Sequence, residues 1–544
     1  MQRFFLTFIL CAVLVWAPRV GGAAAQSTVD ATLSRMSLEE KVGQLFMVWF
    51  EGRENAPLLR EAITRRHAGG IILYDITDNV GTPTEVARLT NAAQRMAAKS
   101  GAGVGLLIGI DQEGGPVVRL KNGFTVLPSA AAIGASGSPD HAARAASIMA
   151  QEMRAVGINV TFAPDADVNS NPDNPIIGVR SFGGTPSQVT AMARAAMEAT
   201  MEHGVLPVLK HFPGHGDTGF DSHLHLPRVA HPRKRLDAVE LAPFRELAQS
   251  APAIMTAHVA VPALEPNPDV PATLSRRVLT DVLRGQLGFA GLVVTDSLGM
   301  GAIANTFGAG DAALRAFQAG ADLLLFGADK GHSPHEALDA MDTVLRAARR
   351  GDISRQRLDA SVRRILHVKA QLGALQPRLV DAKAAVRRVG TLGNRRAADA
   401  IALAGTRILR DTHNALPLPQ DSAPVVVLPK GVATADDILK AFPSGTCLIR
   451  IPARPAEQDA ATVAARAGER PIVVLIGKTG KSPKQVAFLR ALVQKAGAQA
   501  PVVAAALDMP HAVLAETDIP CMVATWSSVP ASIRALARTL FYAE

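Results

Sequence analysis

The sequence predicts an α/β protein, built as a (β/α)8 TIM-type barrel followed by a smaller three-layer α/β/α sandwich. Short, continuous apolar runs recur eight times between residues 45 and 326. Amphipathic helical patterns separate these runs, as expected for strand–helix units. Charged residues and histidines follow directly after several runs, and barrel enzymes carry their chemistry at the carboxyl ends of their strands.

The composition is that of a globular protein with room for two or three domains. The 544 residues are 48% hydrophobic and 19% charged, and only 4% are aromatic. The net charge is +9, from 57 basic and 48 acidic residues. No run of Lys and Arg is interleaved with aromatic residues, so we predict no nucleic-acid partner.

The N-terminus has the pattern of a secretory signal peptide, predicted over residues 1–25. Arg3 supplies the positive start, residues 4–16 the apolar stretch, and three alanines at 23–25 the small-residue cleavage site. We therefore expect export to the periplasm or the medium. No other apolar run reaches 18 residues, so no stable membrane span is expected after cleavage. An uncleaved anchor is the alternative.

Cys447 and Cys521 are the cysteines that remain after such a cleavage. Two cysteines make neither a disulfide framework nor a four-cysteine zinc site in a chain of this size. A single disulfide and two buried thiols both stay open.

The predicted barrel domain covers residues 28–375. A capping box at Ser37-Leu38-Glu39-Glu40 begins a helix. The apolar runs then follow, and they are continuous rather than alternating, as in parallel strands that are buried on both faces. They are residues 45–49, 71–73, 106–110, 160–163, 205–209, 254–257, 292–295 and 323–326.

Polar residues stand at the ends of these runs, where a barrel would gather them at one mouth. They are Asp111 after the third run, Asp165 and Asp167 after the fourth, Lys210 and His211 after the fifth, His258 after the sixth and Asp296 within the seventh unit.

A closing amphipathic helix is predicted at residues 352–370. A segment with proline and glycine at 376–394 is the predicted linker. A second strand–helix alternation predicts the sandwich domain at 395–544. Its five expected strands are 425–428, 447–451, 472–476, 502–506 and 522–525.

The densest chemistry lies at residues 210–223, which read Lys-His-Phe-Pro-Gly-His-Gly-Asp-Thr-Gly-Phe-Asp-Ser-His. Asp221 and His223 are two residues apart on a loop, so the carboxylate can bind one imidazole nitrogen. That contact fixes the tautomer and makes the other nitrogen a better general acid and base. A solvated loop pair is the alternative.

Asp296 follows the apolar stretch of the seventh unit, in Val-Val-Thr-Asp-Ser-Leu-Gly. A carboxylate at a strand end can act as a nucleophile, a base or a metal ligand. It can also simply cap the next helix.

Residues 210–223 resemble the signature of the glycoside hydrolase family 3 β-N-acetylglucosaminidases. Other blocks match the family in its order. They are Asp-Gln-Glu-Gly-Gly at 111–115, Ala-Pro-Asp-Ala-Asp-Val-Asn at 163–169, Arg-Ser-Phe-Gly at 180–183 and Thr-Asp-Ser-Leu-Gly-Met at 295–300. The resemblance covers most of the mature chain and is firmest over the barrel.

The resemblance implies a role for each matched position. Asp296 is similar to the nucleophile that forms a covalent glycosyl-enzyme, His223 to the general acid/base, and Asp221 to its partner. The residues similar to those that hold the sugar are Asp111, Arg119, Arg180, Lys210 and His211. The implied activity is retaining hydrolysis of terminal β-linked N-acetylglucosamine from peptidoglycan fragments, with neither a metal nor another cofactor.

Other functions stay open at this point. A family 3 β-glucosidase would take its acid from a glutamate in the second domain, which the His223 loop argues against. A phosphorylase would use phosphate instead of water. A secreted wall-binding protein on a degenerate barrel would be expected to have lost Asp296 or His223. A metal-dependent hydrolase would use some of the ligands His211, His215, Asp217, Asp221, His223 and His225.

Overall fold

A computed structural model describes residues 23–477, 483–497 and 499–542, with side chains from residue 26 onward. Most of the predicted signal peptide, residues 1–22, lies outside the described residues. Within them, no helix combines the length and the apolar character that a membrane span needs.

The apolar runs form parallel strands, so the predicted α/β class is confirmed. One sheet has six strands in the order β5-β4-β3-β2-β1-β9, and a second has three in the order β6-β7-β8. The bounds are β1 Phe46–Val48, β2 Gly70–Leu73, β3 Leu107–Ile110, β4 Val160–Thr161, β5 Leu206–Pro207, β6 Leu209–Phe212, β7 Ala253–Thr256, β8 Leu292–Val294 and β9 Leu324–Leu325. All nine strands are buried along their whole length.

Two isolated parallel bridges link these sheets at their ends, Asp165 with Lys210 and Val294 with Leu323. The fifth apolar run contributes to both sheets. Its chain pairs with β4 at β5 and with β7 at β6, and the change of partner falls at Val208. The Val208 amide donates to two carbonyl oxygens at the end of β4, each 3.0 Å away.

Helices connect consecutive strands, except β5 and β6, which only Val208 separates. The capping box predicted at Ser37 is present, because its hydroxyl accepts from the amide of Glu40 and its own amide donates to the Glu40 carboxylate. The α-helices are α1 Ala23–Arg35, α2 Leu38–Gln44, α3 Pro57–Thr64, α4 Pro83–Ala98, α5 Ala130–Ala135, α6 Pro139–Ala155, α7 Pro186–Glu202, α8 Arg233–Ala238, α9 Ala242–Leu247, α10 Gly301–Ala304, α11 Ala309–Ala319, α12 His335–Arg350 and α13 Arg355–Gln371. Residues Arg277–Gln286 form a π-helix.

The predicted closing helix is α13, and a buried carboxylate attaches it to the sheet. Asp322 is fully buried just before β9, where it accepts from the backbone amide of Val293. It also forms ion pairs with Arg284, Arg357 and Arg364, the last two of which lie on α13.

The segment predicted as a linker, 376–394, packs against the preceding helices. It contains α14 Ala382–Arg388, which packs on α4. The amide side chain of Asn91 bonds both the amide and the carbonyl of Val380. Buried Glu152 accepts from the amide of Gly390 and the side chain of Asn394. The domain boundaries themselves stay a prediction.

The C-terminal part is a second α/β unit around a six-stranded sheet in the order β10-β15-β14-β13-β11-β12. Its strands are β10 Arg407–Asp411, β11 Val425–Pro429, β12 Cys447–Ile451, β13 Ile472–Ile476, β14 Val502–Ala506 and β15 Cys521–Ala524. Its helices are α15 Leu392–Gly405, α16 Ala435–Ala441, α17 Asp459–Ala467, α18 Pro483–Ala496, α19 His511–Leu514 and α20 Pro530–Phe541. Alternate residues of the central strands enter two separate apolar clusters, one on each face.

Five of these strands match the predicted ones, and β10 is new. It is the antiparallel edge strand, and its sequence, Arg-Ile-Leu-Arg-Asp, is partly exposed and has no continuous apolar run. Cys447 and Cys521 are free thiols, and burial raises the pKa of Cys521 to about 12.

We expect Asp322→Ala to lower the free energy of unfolding by about 3–5 kcal/mol, because it leaves three partly buried arginines without their shared carboxylate. Urea denaturation measures the loss. The matched control is Asp352→Ala, which breaks an exposed pair with Arg350 and should cost less than about 1 kcal/mol. Equal losses in the two variants would contradict this account of α13.

Lys369 gives the fold a pH-dependent stability. It is fully buried on α13 beside Gln44, and burial lowers its pKa to about 7 from 10.5. The unfolded chain therefore holds one more proton than the folded chain between about pH 7 and pH 10.5, so this lysine makes stability rise with pH there. Lys369→Met should flatten the rise of the urea midpoint between pH 7 and pH 9. Lys383→Met, at an exposed position, should keep it.

Candidate active site

The segment 210–223 begins inside β6 and leaves the sheet through a tight turn at 213–216, which reads Pro-Gly-His-Gly. Two glycines are required there by close packing. A Cβ on Gly216 would lie 1.8 Å from the carbonyl oxygen of Val168, and Gly214 has a φ of +127°. The turn therefore presses against the chain that follows β4, which brings the polar residues of the two strand ends together.

Asp167, six residues beyond β4, holds both histidines of this turn. It lies 2.6 Å from Nδ1 of His211 and also accepts from the backbone amides of His211 and His215. Burial raises the pKa of Asp167, but the two histidines outweigh burial and the pKa falls to about 2. Asp167 is thus an ionised anchor, and it orients the ring of His211.

Glu113 joins two of the predicted sugar-binding residues. Arg180 binds it through two parallel hydrogen bonds of 2.8 and 2.9 Å, and Lys210 Nζ lies 2.6 Å from its Oε1. Burial would raise the pKa of Glu113, yet the two cations hold it well below 4.5. Burial would lower the pKa of Lys210, but Glu113 and Asp111 raise it. All three groups are therefore charged.

Asp111 extends this network towards the solvent. Its Oδ1 lies 3.3 Å from Lys210 Nζ, and its side chain is 20% exposed. Arg119 approaches Asp111 at 3.9 Å, and its guanidinium lies over the ring of Tyr74. Arg180 also lies 3.5 Å from Nε2 of His211. The predicted sugar-binding residues thus form one connected cluster of Asp111, Arg119, Arg180, Lys210 and His211.

Asp296 stands two residues beyond β8. Its Oδ1 accepts from the amide of Ser297 at 2.8 Å. Burial raises the pKa of Asp296, but the imidazoles of His258, His211 and His223 favour the ionised form and bring the pKa below 3.8. The structure therefore presents an ionised carboxylate at this strand end.

His258 fixes the backbone next to Asp296. It is fully buried after β7, and its Nε2 donates to the carbonyl oxygen of Ser297 at 2.8 Å. Its Nδ1 lies 2.8 Å from the hydroxyl of Thr273. Both ring nitrogens are engaged, so His258 positions Asp296 rather than reacting itself.

Asp221 and His223 are paired, as the loop spacing predicts. His223 Nδ1 lies 2.9 Å from Asp221 Oδ1, which also accepts from the backbone amide of His223. The imidazole is 56% exposed, so its Nε2 can reach a solute. Backbone bonds attach this loop to α10, since Gly301 donates to the His223 carbonyl and Ala302 to that of Ser222. Helix α10 follows Asp296 in the chain, and His223 is among the imidazoles whose charge lowers the pKa of Asp296.

Asp329 is a further acid at this edge that the sequence reasoning missed. It accepts from the hydroxyl of Ser297, and burial, together with the charge of Asp296, raises its pKa. It follows the eighth apolar run, so the rule that found Asp111 and Asp296 could have found it. Glu113 lay in a quoted motif, but no pattern marked it as the partner of two cations.

The ligands considered for a metal-dependent hydrolase do not gather in one place. His215 bonds Thr218 and Ser222 through its two nitrogens, and burial lowers its pKa to about 4. His211 groups with Asp165 and Asp167, whereas Asp217 groups with His231 and Glu240. Burial, with the charge of Asp167, raises the pKa of Asp165 well above 3.8.

Residues 37–368 match the family model described as the glycosyl hydrolase family 3 N terminal domain. The beta-hexosaminidase A of Pseudoalteromonas piscicida is 38% identical over 393 residues, which are 68% of this chain and 64% of that protein. A beta-hexosaminidase of Alkalilimnicola ehrlichii is 38% identical over 51% of this chain and 79% of its own. A solved glycoside hydrolase family 3 beta-N-acetylglucosaminidase from Paenibacillus sp. aligns with a TM-score of 0.85 and 39% identity, covering 93% of this chain and 97% of that one.

We expect Glu113→Gln to lower the free energy of unfolding by about 3–5 kcal/mol, because Arg180 then loses its bidentate carboxylate and Lys210 keeps only the longer contact with Asp111. Lys210→Met alone should also destabilise the protein, since it leaves part of Glu113 unpaired. The double variant should lose clearly less than the sum of the single losses, because each single loss includes the Lys210–Glu113 contact, which the double variant loses only once. Urea denaturation measures all three, and strict additivity would contradict the network.

Proposed function

The chain belongs to glycosyl hydrolase family 3, and we propose that it is a retaining β-N-acetylhexosaminidase that removes terminal β-linked N-acetylglucosamine. The observation that carries the proposal is the Asp221–His223 pair, held by α10 on the segment that follows Asp296. A nucleophile and a proton donor at one strand edge are what retention requires.

In the first step, Asp296 attacks the anomeric carbon and the glycosidic bond breaks. The lowered pKa of Asp296 keeps it ionised for this attack at neutral pH. His223 donates a proton from Nε2 to the leaving oxygen, while Asp221 on Nδ1 stabilises the imidazolium before transfer. In the second step, neutral His223 takes a proton from water, which attacks the same carbon and releases Asp296.

The charged cluster supplies the sugar site. Lys210 and Arg180 donate hydrogen bonds, and Asp111 accepts them, so together they match the hydroxyl groups of a pyranose. Glu113 already fixes Arg180 and Lys210, and Asp167 fixes the neighbouring His211. Substrate binding therefore costs little conformational entropy in these side chains. His223, in contrast, lies on an exposed loop and can adjust when the substrate arrives.

We also propose that the two N-terminal sheets act as one closed (β/α)8 barrel over residues 28–375, since bridges link them at both ends. Residues 376–394 then form the linker, and 395–544 a three-layer α/β/α sandwich. The proposed site lies at the carboxyl ends of the strands, where such barrels hold their chemistry.

We place this activity outside the cytoplasm, with peptidoglycan-derived fragments as substrate. The support is the signal-peptide pattern over residues 1–25 and the resemblance to the family. Secretion of a reporter protein fused to these residues would test the location.

The activity is tested by release of nitrophenol from 4-nitrophenyl β-N-acetylglucosaminide. Asp296→Ala should lower kcat/KM by about 10⁴-fold or more, because the nucleophile is lost. His223→Ala should lose about 10²–10⁴-fold on chitobiose, whose leaving group needs a proton, and far less on the nitrophenyl substrate. His203→Ala, at the end of α7, is the control and should match the wild type.

Covalent trapping tests the mechanism separately. A 5-fluoro N-acetylglucosaminyl fluoride should label Asp296 in the wild type, found by mass spectrometry of its peptide, because the ring fluorine slows release of the intermediate. A label elsewhere would overturn the assignment of the nucleophile, and full activity in Asp296→Ala would overturn the proposed function.

A further inference from the structure

A second cluster of ligand-type side chains lies at the base of the loop that carries Asp221 and His223. Asp217, His231 and Glu240 each offer one ligand atom, and these atoms lie within 4.8 Å of one another. Asp217 belongs to the loop itself, His231 precedes α8, and Glu240 lies between α8 and α9. None of the three has a part in the proposed hydrolysis.

In this cluster, Glu240 is a buried carboxylate that lacks hydrogen-bond partners in the protein. Its side chain is 2% exposed, and neither of its carboxylate oxygens accepts a hydrogen bond. Buried carboxylates are normally hydrogen-bonded, because losing water without a replacement is costly. Arg235 approaches Glu240 Oε1 at 3.3 Å without forming a hydrogen bond, and its own buried Nε has no partner either.

We propose that Asp217, His231 and Glu240 bind one divalent cation of the zinc class. Imidazole nitrogen with carboxylate oxygen is a ligand set that suits Zn²⁺, whereas Ca²⁺ and Mg²⁺ prefer oxygen alone. Three protein ligands leave a fourth tetrahedral position for water. The side chains of Asp217 and His231 are 21% and 35% exposed, so solvent reaches that side of the cluster.

The charges of the cluster agree with a bound cation. Two carboxylates face one imidazole, and Arg235 forms an ion pair with one of those carboxylates. The Arg235 side chain is 38% exposed, so it can turn to solvent and leave Glu240 to the metal.

The cation would have a structural role. It would join the loop at Asp217 to the chain on both sides of α8, which is otherwise connected there by the His231–Asp217 contact. Glu240 also packs against the turn at Gly214, where an added Cβ would lie 2.8 Å from the Glu240 Cβ. The metal would therefore fix the base of the loop while leaving Asp221 and His223 free to move.

The first experiment titrates Zn²⁺ into the full chain after dialysis against a chelator, using isothermal calorimetry, with metal content checked by elemental analysis. We expect a saturable site with one Zn²⁺ per chain. His231→Gln and Glu240→Gln should each weaken it by at least about 10-fold, within the 10–100-fold range typical of losing a group that supports a metal. Arg235→Gln should strengthen it, because a competing cation is removed.

The matched control is His332→Gln, which removes the histidine of a surface His–Glu pair at the start of α12 and should leave the Zn²⁺ affinity unchanged. No saturable Zn²⁺ binding below about 100 μM, or binding that His231→Gln and Glu240→Gln both leave intact, would overturn the proposal.

Hydrogen exchange gives a readout that does not depend on activity. Zn²⁺ should slow amide exchange over residues 214–220 in the wild type and leave it unchanged in His231→Gln. His231 is partly exposed, so this variant decides the matter if Glu240→Gln does not fold. Slowing in both proteins would show binding elsewhere and overturn the site. Loss of hydrolysis in Asp296→Ala tests the proposed function alone, so the metal site and the hydrolase activity can each fail without the other.

Discussion

The buried charges at the ends of β3, β4 and β6 are the constraint on which the rest of the site depends. Glu113 faces two cations, Arg180 and Lys210, and Asp167 holds the ring of His211. A buried charge is tolerated only when it is paired and hydrogen-bonded, so burying any one of these groups requires its partner to be buried beside it. The strand ends that carry them are consequently fixed in relation to each other.

This arrangement divides the site into a rigid part and an adjustable part. The cluster around Lys210 is almost fully buried, whereas the ring of His223 is 56% exposed and is held mainly through Asp221 and the backbone of α10. Rigid donors suit the recognition of a sugar, and an adjustable acid suits leaving groups of different shape. The same loop leaves β6 directly after Lys210 and His211, so the two parts share one segment of the chain.

The C-terminal unit is attached to the N-terminal one through buried contacts rather than through a free tether. Glu152 on α6 bonds Gly390 and Asn394, and the Ser129 hydroxyl donates to the carbonyl of Trp526, whose φ is +49°. Composition alone predicted 376–394 as a linker because it contains the helix-breaking residues Pro377, Gly390 and Gly393. The same residues also suit a segment that turns sharply while it packs on its neighbours. Composition does not distinguish a free linker from such a packed segment.

The sequence by itself determined the α/β class and nearly every strand, because parallel strands that are buried on both faces need continuous apolar runs, and such runs are visible in one dimension. It also predicted Asp296, Asp221 and His223 as site residues, and the structure pairs Asp221 with His223 as the loop spacing predicts. The edge strand β10 was not predicted because none of its residues is fully buried, so it needs no continuous apolar run. Only the tertiary structure brought Glu113 between Arg180 and Lys210, bonded His258 to Ser297 and placed Glu240 beside Asp217 and His231. Glu113 is 67 and 97 residues from its two cations, His258 is 39 residues from Ser297, and Glu240 is 23 and 9 residues from Asp217 and His231. Packing decides which of these residues meet, and no local pattern records it.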